Sequence, residues 1–145
     1  NLVIEIISTA FIFLFVYAAA SKLMDVDKFA AQIGQSPLLT DINYLVAWSI
    51  PAAEVMISAL LCFQKTRLTG LYLSLNLMIL FTVYIIAILS FGEHIPCSCG
   101  GVLERLGWTE HLIFNISFVV LAALGIWMEK KQQNEQHAQY IHKIP

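Results

Sequence analysis

The chain has 145 residues, of which 59% are hydrophobic and only 12% charged, and its net charge is -2. Soluble domains carry about 25% charged residues, so this composition describes an integral membrane protein whose first partner is the lipid bilayer. It excludes a nucleic-acid binder, because there is no basic excess and no basic stripe interleaved with aromatics to meet a phosphate backbone.

A helix needs about 20 apolar residues to cross a hydrocarbon core, and four segments meet or approach that length. The first, Leu2 to Ala20, is longer than the apolar core of about 7 to 15 residues in a signal peptide, which predicts a retained span. In the loop that follows, Val26, Phe29, Ala30 and Ile33 recur at helical spacing after the capping-type residue Asp25, and Gly34 and Pro37 end the pattern. This spacing predicts a short helix lying on the outer interface. The second span, Tyr44 to Phe63, contains Pro51 and, about halfway along, Glu54. An ionisable group at that depth costs at least about 2.5 to 3.5 kcal/mol to insert, which makes Glu54 a candidate functional residue. The structural alternative is a protonated Glu54 hydrogen-bonded to Ser74 or Asn76 for helix packing. Lys22, at the outer end of the first span, can be drawn toward it. Cys62 is expected to be a small buried hydrophobe.

The connection Gln64-Lys65-Thr66-Arg67 is a tight polar turn, so the second span and the third, Leu68 to Phe91, form an antiparallel hairpin. The fourth span is Leu112 to Met128, with Thr109 as its expected N-cap and Asn115 in its first turn as a capping or helix-bridging residue. The expectation is an all-α membrane protein, an up-down bundle of four transmembrane helices over residues 1–128 with a polar tail over 129–145. Lys65, Arg67, Lys130, Lys131 and Lys143 gather at one end. The positive-inside rule therefore sets both termini in the cytoplasm, against the weaker pull of Lys22 and Lys28 on the outward loop. In a bacterial inner membrane the connection from Gly92 to His111 then faces the oxidising periplasm, where disulfides persist.

That connection carries Cys97-Ser98-Cys99-Gly100-Gly101. In extended backbone, two Cα atoms separated by one residue lie near the limit of about 7 Å for unstrained bridging, so the chain must bend for the bond to form. Pro96 before the pair and two glycines after it supply that bend. Strained, exposed disulfides are the oxidising, catalytic ones. His94, Arg105 and His111 are the candidates to favour a thiolate. Two other readings stay open: a thiolate metal site of His94, Cys97, Cys99 and His111, suited to zinc or copper(I), and a bridge that only clasps the loop.

Ser21-Lys22-Leu23-x-Asp25 after the first span, Pro51-x-x-Glu54 within the second and Cys97-x-Cys99-Gly100 after the third together resemble the DoxX-like membrane proteins, particularly the MauE branch associated with methylamine utilisation. The resemblance implies a four-helix bundle with a redox-associated role, beside a thioredoxin-like partner that matures a disulfide-rich periplasmic enzyme subunit. Other DoxX relatives belong to sulfur-compound:quinone oxidoreductases. It also implies Cys97 and Cys99 as the redox pair and Glu54 as the membrane-embedded polar group, with Lys22 and Asp25 as matched positions of unassigned role. Gly100 departs from the branch, in which an aromatic residue often precedes the glycine.

The resulting expectation is thiol-disulfide exchange by Cys97 and Cys99 with a periplasmic thioredoxin-like protein or client, with membrane quinone as the further electron partner. The rivals are a non-enzymatic accessory or assembly subunit of a larger membrane complex and a thiolate metal-binding protein. A transporter is disfavoured, because short-looped spans without discontinuous halves offer no alternating-access path.

Overall fold

The computed structural model describes residues 1–35, 39–91 and 107–143, and among them every regular element is helical. Four helices are long and apolar enough to cross a membrane. In chain order the elements are α1 (Leu2–Met24), α2 (Val26–Gly34), a single 3-10 turn (Thr40–Ile42), α3 (Asn43–Cys62), α4 (Arg67–Phe91) and α5 (Trp108–His142). The spans are α1, α3, α4 and α5.

The reason for a membrane environment is visible in which side chains face away from the bundle. Phe13 and Phe63 are exposed by 72% and 67%, and Leu45, Trp48, Leu80, Val83 and Val120 also point outward. Apolar surface on this scale is unstable in water and is solvated by lipid. The interior is built from Ile7, Phe11 and Phe15 of α1, Ile57 and Leu61 of α3, Leu71 and Met78 of α4, and Ala122 and Ile126 of α5. Phe11 meets Phe118 edge-on, with ring centroids 5.2 Å apart and planes at 86°, an arrangement favoured by the ring quadrupoles. Gly125 lets α5 close on its neighbours, since a Cβ there would lie 3.2 Å from Ile7 Cγ2 and 3.3 Å from Leu71 Cδ2.

The hairpin between α3 and α4 closes over residues 63–66. Thr66 Oγ1 donates to the Leu60 carbonyl at 2.7 Å, satisfying an acceptor that the end of a helix leaves open. At the other end of the bundle, Asp25 caps α2, its carboxylate accepting from Lys28 N at 3.1 Å. Phe29, Ala30 and Ile33 then pack on Ala47, the apolar face anticipated from their spacing. Within α3, Pro51 lies inside the helix; lacking an N–H, it cannot serve the carbonyl four residues before it.

Two expectations are corrected, and one helix is longer than its apolar run. Cys62 is exposed on the outside of the bundle, because the buried stripe of α3 runs through Ala47, Pro51, Glu54, Ser58 and Leu61 and leaves Cys62 on the flank. The cap of α5 is Gly107, with no side-chain hydrogen bond, and Thr109 is already helical. α5 does not end with the apolar run: it continues for 35 residues in all, since the tail after Met128 contains good helix formers and no Gly or Pro before Pro145.

Candidate functional site

Two features of α1 and α3 decide what stands in the bundle interior. Lys22 occupies the last turn of α1, where a long side chain can run along the apolar face while its head seeks a partner. Glu54 lies on the buried stripe of α3 and is fully inaccessible. Lys22 Nζ donates to Glu54 Oε1 at 2.6 Å, a charge-assisted bond between side chains exposed by 5% and 0%. Such a bond is short and about twice as strong as a neutral one. The ammonium also lies 5.8 Å from the Phe29 ring centroid and 5.6 Å from that of Phe81, within range of cation–π attraction. One cation therefore joins α1 to α3, to the short helix α2 and to α4.

Neither Ser74 nor Asn76 donates to the Glu54 carboxylate. Ser74 Oγ donates to the Gly70 carbonyl and Asn76 Nδ2 to the Tyr72 carbonyl, each bonding back along α4. Ser58 Oγ in turn donates to the backbone carbonyl of Glu54 at 2.8 Å.

α5 contributes the fourth wall. His111 and Asn115, four residues apart and on one face, are both buried, at 6% and 3% exposure. They line a small cavity with Lys22, Glu54, Met78 and Phe81. Its volume is about 30 Å³, room for one or two water molecules, each of which needs at least about 10 to 15 Å³ and two to four polar partners. A quinone ring does not fit it. Glu54 Oε2 and Asn115 Nδ2, both buried, have no hydrogen-bond partner among the described residues.

Lys22, Glu54 and His111, named from sequence, are thus brought together, whereas Asp25 stays apart as the exposed cap of α2. Cys97, Cys99, His94 and Arg105 lie outside the described residues, as does Pro37. Among the described residues no group of three metal-ligating side chains occurs. Asn115 is more central than its sequence suggested: it faces the cavity and does not cap a helix.

Sequence reasoning missed a second buried pair entirely. Arg67 Nη1 and Glu129 Oε2 lie 3.9 Å apart, with side chains 11% and 8% exposed, and Gln133 Nε2 reaches Glu129 Oε1 at 3.4 Å. The signal was present in the pattern. His111, Asn115, Phe118, Ala122, Ile126 and Glu129 fall at spacings of three and four, the stripe of one helix face, so Glu129 continues the core face past the end of the apolar run.

With this geometry in place, comparison with known proteins gives one finding. The family model described as Methylamine utilisation protein MauE matches residues 1–128, which takes in all of α1, α2, α3 and α4 and α5 as far as Met128. No curated protein and no solved structure matches the chain.

Proposed function

The chain belongs to the MauE family of membrane proteins, and we propose that it is a membrane redox protein whose Cys97 and Cys99 exchange disulfides with a thioredoxin-like protein or a disulfide-containing client. The observation that carries this reading is positional. The two thiols lie in the connection from α4 to α5, and α5 enters the bundle by setting His111 and Asn115 against the Lys22–Glu54 pair. The two helix ends that flank the thiol segment in sequence, the last turn of α4 and the first of α5, belong to the same end of the bundle as the buried polar site, opposite the 63–66 turn.

In the proposed reaction, a thiolate of the pair attacks the partner's disulfide, forming a mixed disulfide and expelling one partner thiolate, which takes up a proton. The second cysteine then attacks the mixed bond. The chain ends with a Cys97–Cys99 disulfide and the partner with two thiols, so two electrons pass to the partner and no further oxidant is consumed. The reverse sequence reduces the chain.

The proposed location is a bacterial inner membrane with the thiol loop in the periplasm. Lys65 and Arg67 at the hairpin turn, together with Lys130 and Lys131 on α5, support that orientation. The wider DoxX-like kinship is proposed on the Ser21-Lys22-Leu23-x-Asp25 and Pro51-x-x-Glu54 motifs.

A second reading, an accessory or assembly subunit, has its own supporting observation. Beyond Met128, α5 runs on to His142, about 20 Å of helix, with nearly all its side chains exposed, as befits a segment that meets another protein.

Mixed-disulfide trapping separates the two. The full chain in nanodiscs, incubated with oxidised thioredoxin as probe, is expected to exchange; Cys97→Ser or Cys99→Ser should abolish turnover, and one of the two should accumulate the mixed disulfide. Undiminished exchange in both single variants contradicts the redox reading and leaves the accessory role.

A further inference from the structure

The Lys22–Glu54 site contains more polar capacity than the pair itself uses. Lys22 engages Oε1 alone, and Oε2 of the same carboxylate is buried without a partner among the described residues, as is Asn115 Nδ2 across the cavity. A buried polar atom left unpaired costs about 1 to 3 kcal/mol, more when charged, so two such atoms on residues that line one cavity point to an occupant. The cavity of about 30 Å³ sets its size: water fits, a larger ligand does not. The walls supply the two to four partners a buried water needs, with Oε2 as acceptor, Asn115 Nδ2 as donor and the His111 imidazole as either.

We propose that this cavity is a hydrated proton-exchange site, in which bound water links Glu54 Oε2 to Asn115 and His111 and carries a proton between the carboxyl and the imidazole. The step is balanced: an imidazolium at His111 gives a proton to the water, the water gives one to Oε2, and the products are neutral His111 and the Glu54 carboxylic acid. Return of the proton restores both. His111 is in the first turn of α5, beside Gly107, whose carbonyl accepts from its backbone N at 3.0 Å; it is the member of the site nearer the start of α5, and Glu54 is the store.

When Glu54 is protonated, Lys22 loses its counter-charge, and an ammonium stranded among apolar side chains would be costly. The rings of Phe29 and Phe81 at 5.8 and 5.6 Å offset that loss through cation–π attraction. Among the described residues, the charged and titratable groups lining the cavity are Lys22 from α1, Glu54 from α3 and His111 from α5, while α4 presents Met78 and Phe81. The site needs neither cysteine, so it stands or falls apart from the thiol reading.

The test is infrared spectroscopy of the full chain in nanodiscs, carrying Cys97→Ser and Cys99→Ser so that thiol chemistry cannot contribute. A pH change across roughly 4 to 9, the range of ordinary carboxyl and imidazole titration, should raise a protonated-carboxyl band that disappears in Glu54→Gln and shifts in D2O. If Glu54→Gln fails to fold, ¹³C-glutamate labelling assigns the band by its isotope shift. In Asn115→Leu the band should persist while its exchange into D2O slows about tenfold, the worth of one lost hydrogen bond. Absence of the band throughout that range, or exchange in Asn115→Leu as fast as in the parent chain, overturns the proposal.

Discussion

The two ends of the bundle each hold a buried ion pair, and they differ in how the pair is completed. At the loop end, Lys22 and Glu54 meet at 2.6 Å, and the cation lies near two aromatic rings. At the turn end, Arg67 and Glu129 stand 3.9 Å apart, beyond hydrogen-bonding distance, and Arg67 Nε and Glu129 Oε2 have no hydrogen-bond partner among the described residues. The first pair joins α1 to α3 deep in the bundle. The second joins α4 to α5 where the polar extension begins, its side chains 11% and 8% exposed. The contrast shows that two buried pairs differ by how closely their charges meet: a charge bonded at 2.6 Å depends on its partner more than one held at 3.9 Å.

The largest effect is expected from splitting the deep pair. Glu54→Ala leaves the Lys22 ammonium uncompensated and should cost about 3 to 5 kcal/mol, read from reversible unfolding in mixed micelles. Lys22→Met together with Glu54→Leu should recover most of that loss, because removing both charges of a buried pair is often neutral. A double variant as unstable as the single one would break the account of this end.

Arg67→Met at the turn end should cost less, about 1 to 2 kcal/mol, since the pair at 3.9 Å makes no direct hydrogen bond and Gln133 still reaches the Glu129 carboxylate. A loss equal to that of Glu54→Ala would erase the distinction between the ends. Smaller still is Asp25→Ala, which removes the cap of α2 and should cost about 1 kcal/mol, seen as faster hydrogen exchange confined to α2. Exchange that speeds up across α1 and α3 as well would mean that Asp25 acts on the Lys22 site and not only on its own helix.

The four spans were legible because hydropathy over about 20 residues is a strong signal, and α2 was legible because Asp25 and an apolar spacing of three and four agree. The Lys22–Glu54 contact could be anticipated from cost alone: a buried carboxylate must find a partner, and Lys22 was near the right depth. Three features were hidden for physical reasons. Helix α5 outlasts its apolar run, which ends at Met128, because the residues beyond it are still good helix formers. The exposure of Cys62 depends on the rotation of α3 about its axis, which Glu54 and Ser58 fix but local composition does not. Asn115 reads as an ordinary polar residue until the helix packing turns it toward Glu54.

The most direct test of the central claim is a redox titration in native membranes, trapping thiols with a mass-tagging reagent added from the outer side. The account predicts that Cys97 and Cys99 label together and cycle at a potential well above about -300 mV, below which structural disulfides typically lie. A pair that stays oxidised until harsh reduction, or that the external reagent never reaches, would contradict it.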